Sequence, residues 1–250
     1  MTNKKLEKLL LVEDNPQYRV AAEEALKGRN YSVATNYDEA REQLSQADAV
    51  ITDVFFQQNK SGTNPELQAR AIEAIKYGLV KNYVEKMSTR VEEESGMVTD
   101  ERLKKIFEKI GYHQIGCSDT HNEAGYMTEA VSRYVAEFKE SAAEKLEEAV
   151  NDILGVASKG VIGKLFNPLE EYMKKSPENQ PLGYLVAEEA EKLRKPFVLV
   201  TSLRHAESCL MPVLRSAKAR EWNMLEGGDG SKDSPEYWLK AYERLKGGKE

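Results

Sequence analysis

The sequence contains little cysteine and histidine, and it has no long hydrophobic run. Its two cysteines, Cys117 and Cys209, lie far apart and form neither a C-x-x-C pair nor a disulfide framework, which favours reduced thiols in a cytoplasmic protein. The apolar run near the start, residues 9–12, is too short for a signal peptide or a membrane span. No serine or cysteine stands with a histidine in the spacing of a nucleophilic site. We therefore expect a cytoplasmic protein that makes no use of a membrane.

Positive charge is also in the minority. The 36 lysine and arginine residues face 42 aspartate and glutamate residues, which gives a formal net charge of -6. This balance lacks the basic footprint of a nucleic-acid-binding domain, so we expect no direct nucleic-acid partner. With 250 residues, 40% of them hydrophobic, the chain is long enough to bury a sizeable core.

The two ends of the chain alternate strand and helix signals. Continuously apolar stretches are typical of strands that are covered on both faces of a parallel sheet. A helix after each strand makes the series β-α-β-α-β, which requires a parallel sheet with right-handed crossovers. The predicted strands cover residues 9–12, 31–35, 49–52, 197–201 and 222–225.

The middle of the chain has a different pattern, because polar, turn-rich breaks at 57–65 and 176–181 enclose a charged, helix-periodic region. The sequence thus predicts one five-stranded α/β domain in two parts, residues 1–60 and 180–250, interrupted by a helical insertion at 61–179. Helices within the insertion are predicted over residues 65–90, 100–111, 122–155 and 164–175.

Acidic side chains stand where two of the predicted strands end. Glu13 and Asp14 follow the first strand, and Asp53 follows the third. Ligands collect at the carboxyl edge of a parallel sheet, so we expect these acids to form one site. Clustered carboxylates repel each other unless a cation or a proton lies among them, and oxygen ligands of this kind suit Mg²⁺. The alternative is that one of the acidic pair caps the following helix.

These residues give the chain a resemblance to the receiver domain of response regulators in two-component signalling. Residues 11–15 look like the first strand of that family with its acidic pair. Residues 50–53 look like its third strand with the phosphoacceptor aspartate, and residues 198–202 look like its fourth strand with the switch hydroxyl. The resemblance covers residues 5–58 and 180–248.

The resemblance implies a flavodoxin-like α/β fold with strand order 2-1-3-4-5. It also implies that Glu13, Asp14 and Asp53 hold Mg²⁺, and that Asp53 accepts a phosphoryl group from a histidine kinase or a small phosphodonor. Thr201 would be the switch hydroxyl that contacts a phosphoryl oxygen. The same threonine is also a suitable cap for the next helix, so its role stays open at this stage.

One family feature is missing from the sequence pattern. The family has a lysine at the end of the fifth strand, whereas Glu226 stands at that end here. Lys218 and Lys232 lie several residues out of position. Arg204 or His205, just after the fourth strand, would be a substitute source of positive charge.

The missing lysine supports a competing hypothesis, a phosphorylation-independent pseudo-receiver that acts as a protein-binding or self-association scaffold. The insertion leaves and re-enters the domain beside Asp53, where it would serve as a lid, a dimer arm or an output element that binds a protein partner. An aspartate-dependent phosphatase is a weaker third class, because it needs an acid where Phe55 stands.

Two further motifs have simpler explanations. Cysteine, histidine and aspartate cluster near the middle of the insertion, but their spacing matches no compact zinc motif. The glycine-rich stretch at 227–230 lacks the spacing of a phosphate-binding loop and predicts a turn. The residues of the first cluster are His113, Cys117, Asp119 and His121.

Overall fold

The computed structural model describes residues 7–93, 161–204 and 207–247. The helices expected at 100–111 and 122–155 lie outside these ranges, as do His205 and the cysteine and histidine cluster of the insertion. The strands are β1 (Leu9–Val12), β2 (Tyr31–Ala34), β3 (Ala49–Asp53), β4 (Phe197–Val200) and β5 (Met224–Leu225). The helices are α1 (Pro16–Ala25), α2 (Tyr37–Leu44), α3 (Pro65–Glu93), α4 (Val161–Lys175), α5 (Leu182–Lys192), α6 (Met211–Ala219) and α7 (Pro235–Leu245).

The five strands form one parallel sheet in the order β2-β1-β3-β4-β5. This is the flavodoxin-like arrangement that the resemblance implied, so the predicted fold class is confirmed. The central strands β1 and β3 are buried along their whole length, as their continuous apolar runs predicted. The strand expected at 222–225 is shorter than predicted, because β5 has only two residues.

The apolar core lies on both faces of the sheet. Helices α1 and α7 cover one face, where Ala22 and Trp238 pack with Leu11 and Ile51 of the sheet. Helices α2 and α5 cover the other face around Leu10. Alternate residues of each strand therefore point into different halves of the core, which is the two-residue period of a strand.

Asparagine residues begin both helices of the first half. The side chain of Asn15 accepts a hydrogen bond from the backbone N–H of Gln17 and caps α1, with Pro16 at the first helical position. Asn36 caps α2 by accepting from the backbone N–H of Glu39 at 3.0 Å. These caps fix where the chain turns after β1 and β2.

The two described helices of the insertion, α3 and α4, pack against α5 and α6. Ile75 of α3 and Phe166 of α4 share a buried cluster with Tyr184 of α5. The Tyr184 hydroxyl lies 2.5 Å from the Ser216 hydroxyl, which also donates to the backbone oxygen of Ile75 at 2.8 Å. The helix at the start of the insertion is thus held to the α/β domain by both apolar contact and buried hydrogen bonds. None of the described helices has the length and apolarity needed to cross a membrane.

Candidate functional site

The structure brings the three acids of the sequence prediction together at the carboxyl edge of the sheet. Glu13, Asp14 and Asp53 each offer a carboxylate oxygen within 4.8 Å of the others. Glu13 is fully buried, Asp53 is 8% exposed and Asp14 is half-buried. The parallel register of β1 and β3 is the cause, since it pairs Val12 with Thr52 and so ends both strands at one level.

Glu13 and Asp14 do not cap α1. Asn15 does so, and its own backbone N–H donates to the Glu13 carboxylate at 3.0 Å. Arg19 donates to the backbone oxygen of Asp14 at 2.7 Å, which holds the turn that carries both acids. Because the neighbouring asparagine is the cap, both carboxylates face the cluster instead of the helix end.

Asp53 is held by its own backbone surroundings. Its Oδ1 accepts a hydrogen bond from the backbone N–H of Val54 at 2.8 Å. Gly183, at the start of α5, packs so closely that an added Cβ would lie 1.7 Å from the Asp53 backbone oxygen. Its N–H donates to the Val54 oxygen at 3.1 Å. The chain that returns from the insertion therefore contacts the backbone of Asp53 directly.

A buried lysine completes the cluster. The Nζ atom of Lys232 lies 2.5 Å from Glu13 Oε2 and 3.0 Å from Asp53 Oδ2, and the residue is 1% exposed. The expectation that Lys232 is out of position is wrong. Among the described residues, Lys232 supplies the charge that Arg204 or His205 was expected to supply, and Arg204 is exposed.

The loop between β5 and α7 explains how Lys232 reaches the site. A single helical turn at Gly227–Asp229 and a left-handed Gly230, with φ of 144°, change the direction of the chain after β5. Gly227 packs against the backbone of Ser202, where an added Cβ would lie 2.1 Å from its oxygen. The glycine-rich stretch therefore forms the predicted turn, and that turn brings a distant lysine back to the sheet edge.

Burial and like charge shift the acids toward their protonated forms. Burial and the neighbouring Asp53 raise the pKa of Glu13 to about 8, although Lys232 opposes the shift. Burial also raises the pKa of Asp14 to about 6, again with a contribution from Asp53. Burial works against the charge of Lys232, but the two carboxylates more than offset it and raise the pKa of the lysine. The lysine therefore stays charged while the carboxylates compete for one further cation or proton.

Thr201 begins the loop that follows β4, beside Asp53 of β3. The register of β3 and β4 pairs Asp53 with Val200, and Thr201 follows directly. Its Oγ1 accepts a hydrogen bond from the backbone N–H of Leu203 at 3.2 Å. It does not cap a helix, because α6 begins ten residues later after Leu210. The helix-cap explanation for this threonine is therefore wrong.

The three carboxylates are the type of ligand that a hard divalent cation binds. Three carboxylate oxygens can converge on one point, and this is the chemistry that Mg²⁺ takes in proteins, with water filling its remaining positions. Lys232 already compensates part of the charge of Glu13 and Asp53, so a metal would bind beside this ammonium or displace it. The cluster is thus a candidate binding site for a divalent cation.

Sequence reasoning correctly brought the three acids together but missed Lys232 and the aromatic residues that contact it. The Lys232 ammonium lies 4.8 Å from the ring centre of Tyr18 and 5.5 Å from that of Trp238. The glycine-rich turn was the only available signal, since it shows that the chain changes direction between β5 and the lysine.

No family model, curated protein or solved structure shows a significant match to this chain. Any function assigned to it therefore depends on the fold and on the geometry of this cluster.

Proposed function

We propose that this protein is a cytoplasmic, receiver-like signalling protein that accepts a phosphoryl group on Asp53 with the assistance of Mg²⁺. The observation that supports the proposal is the meeting of Asp53 with two further acids and a buried lysine at the carboxyl edge of a 2-1-3-4-5 sheet. A nucleophilic carboxylate, a set of metal ligands and a fixed cation are the parts that phosphoryl transfer to aspartate needs.

The chemistry assigns one role to each side chain. A carboxylate oxygen of Asp53 attacks the phosphorus of a phosphohistidine or an acyl phosphate, and the bond to the leaving group breaks with its electron pair. Lys232, now 3.0 Å from Asp53 Oδ2, is placed to pair with the incoming phosphoryl oxygens. Thr201 would donate its hydroxyl proton to a phosphoryl oxygen. A magnesium ion held by Glu13, Asp14 and Asp53 would supply charge compensation for the transferred group.

The insertion would act as the output or interaction element. Its end leads into Pro181 and α5, whose Gly183 contacts the backbone of Asp53. Its first helix is bonded to α6 through Ser216. A structural change at Asp53 would therefore reach the insertion through few contacts. The insertion would then bind a protein partner or a second copy of the chain.

Intact-mass analysis with a small acyl phosphate and Mg²⁺ tests the acceptor role. We expect the wild-type protein to gain one phosphoryl group and Asp53→Asn to gain none. Asp48→Asn is the matched control, because Asp48 lies at the opposite end of β3 and its carboxylate accepts from the backbone N–H groups of Glu7 and Lys8. A wild-type protein that binds Mg²⁺ but gains no mass would refute phosphoryl acceptance.

A second function, the pseudo-receiver scaffold, is favoured by a separate observation. Lys232 already pairs with Glu13 and Asp53 within the buried cluster, so part of their charge is compensated without a metal or a phosphoryl group. Sedimentation of the wild type and of Asp53→Asn, each with and without the phosphodonor, separates the two functions. A scaffold would keep one oligomeric state in all four samples, whereas a phosphorylated receiver would change state only in the treated wild type.

A further inference from the structure

Two adjacent aromatic residues of α7, Tyr237 and Trp238, are buried directly behind the candidate site. Their rings meet edge to face, with centroids 5.9 Å apart and an interplanar angle of 82°. Each of them bonds to the backbone of a different residue of the site. The apolar core would be filled equally well by residues without polar atoms, so these bonds point to a role beyond packing.

Trp238 holds the lysine. Its indole Nε1 donates a hydrogen bond to the backbone oxygen of Lys232 at 2.8 Å, and its ring lies under the Lys232 ammonium. Tyr18 of α1 supplies a second ring at 4.8 Å from the same ammonium. Lys232 comes from a loop seven residues after the last residue of β5, so neither strand pairing nor helix geometry fixes it. Trp238 and Tyr18 therefore supply the geometry that a lysine at the strand end would receive from the sheet.

Tyr237 holds the backbone of the threonine. Its hydroxyl lies 3.0 Å from the Thr201 oxygen and 2.8 Å from the Leu225 oxygen, and it accepts from the Thr201 N–H at 3.2 Å. The Thr201 N–H also donates to the Leu225 oxygen at 3.0 Å. One buried phenol thus joins the ends of β4 and β5 at Thr201, the residue that follows the strand next to Asp53.

We propose that Tyr237 and Trp238 are positioning residues that fix Thr201 and Lys232, respectively, against the carboxylate cluster. The assignment of Thr201 and Lys232 as phosphoryl contacts rests on the proposed function, but their placement by α7 does not. Both groups are then positioned by the same turn of α7, so a shift of α7 would move Thr201 and Lys232 together.

The main test measures the exposure of the Lys232 amine, without metal or phosphodonor. The protein is treated briefly with an amine-acylating reagent, and peptide mass spectrometry gives the labelling rate of Lys232 relative to Lys195. Lys195 is the internal standard, because its Nζ donates to three backbone oxygens near the end of α2. Labelling is carried out far below the unfolding transition of each variant, so that release of Lys232 within the folded protein sets the ratio.

Trp238→Phe keeps an aromatic ring but loses the N–H donor. We expect it to raise the labelling ratio about tenfold, since a hydrogen bond and much of a cation–π contact are lost together. Trp222→Phe is the matched control, because Trp222 also donates through Nε1, to Glu191, and lies beside a cation, Arg220. A ratio that stays at the wild-type value in Trp238→Phe would overturn the assignment of Trp238.

Tyr237→Phe is tested by amide hydrogen exchange at Thr201. We expect exchange about tenfold faster than in the wild type, measured relative to the amide of Leu199 in the same strand pair. Tyr184→Phe, which removes another buried hydroxyl bond, should leave the Thr201 amide unchanged. Equal exchange in Tyr237→Phe and the wild type would overturn the role of Tyr237.

If Trp238→Phe does not fold, an NMR measurement on the wild-type protein tests the same contact. Two rings beside the Lys232 ammonium should shift its ε-methylene proton resonances upfield of those of the other lysines. Unshifted resonances would refute the placement of Lys232 by the rings. If these tests succeed while Asp53 accepts no phosphoryl group, the proposed function fails and the positioning roles stand.

Discussion

Replacement of Lys232 by methionine tests the electrostatics of the candidate site most directly. Methionine is close in length and shape to lysine, so the main change is the loss of one buried positive charge. Glu13 and Asp53 would then face each other with no cation at 2.5 and 3.0 Å. Removal of one partner from a buried ion pair costs about 3–5 kcal/mol, which corresponds to a fall in Tm of roughly 10 °C for a chain of this size.

The pH dependence of that loss has a definite sign. The pKa of Glu13 is already raised to about 8, and loss of Lys232 removes the group that lowers it. A carboxyl group with a raised pKa binds protons more readily in the folded state, so stability falls as pH rises from its unfolded pKa toward its folded pKa. Both folded proteins therefore keep Glu13 protonated below about pH 8, and the contribution of Glu13 to the cost of Lys232→Met should grow as pH rises above about 8, where the wild type alone releases this proton.

Urea denaturation in the presence of a chelator, at about pH 9 and about pH 6, gives the free energies of unfolding of both proteins on either side of this pKa. Lys246→Met is the matched control, because Lys246 is exposed and its pair with Glu243 at 3.0 Å is worth about 1 kcal/mol or less. Glu13→Gln combined with Lys232→Met should recover part of the lost stability, since it removes one uncompensated charge. A Lys232→Met protein within about 1 kcal/mol of the wild type at both pH values would refute the reasoning.

Three further predictions concern metal binding, the backbone of Asp53 and the insertion. The pKa of Glu13 is about 8, so below that pH protons compete with a metal for its carboxylate. Saturating Mg²⁺ should therefore raise Tm more at about pH 8.5 than at about pH 6, and equal Tm shifts would contradict this. Gly183→Ala should lower the free energy of unfolding in urea by about 3 kcal/mol or more, because its Cβ would meet the Asp53 backbone oxygen at 1.7 Å. Gly228→Ala is the control with open space around its Cβ, and an equal loss in both variants would contradict the prediction. Ser216→Ala should cost about 1–3 kcal/mol, and it should couple to Tyr184→Phe in a double-mutant cycle; additive costs would refute a shared bond.

The insertion shows how far local patterns extend. Helical periodicity predicted the helices at its two ends, which the structure gives as Pro65–Glu93 and Val161–Lys175. Periodicity carries no information on which helix packs against which. The contact of α3 with α6 through Ser216 depends on two segments about 140 residues apart, so no pattern along the chain could reveal it.

The sequence alone determined the fold class and the acidic half of the site. Continuous apolar runs at residues 9–12 and 49–51 identify buried parallel strands, and neighbouring parallel strands end at a common edge. Acids directly after such runs are therefore brought together by backbone geometry, whatever the loops do. Glu13, Asp14 and Asp53 could be assigned to one cluster for this reason.

Tertiary structure alone decided the cationic half of the site. Lys232 lies beyond the end of β5, and its place depends on how the turn around Gly230 closes and on the rings of Tyr18 and Trp238, which belong to different helices. A loop side chain has no periodicity that ties it to the sheet, so its position follows from packing between distant segments. The positions of the acids follow from the local pattern of the strands, whereas the position of the lysine that compensates their charge follows from tertiary packing.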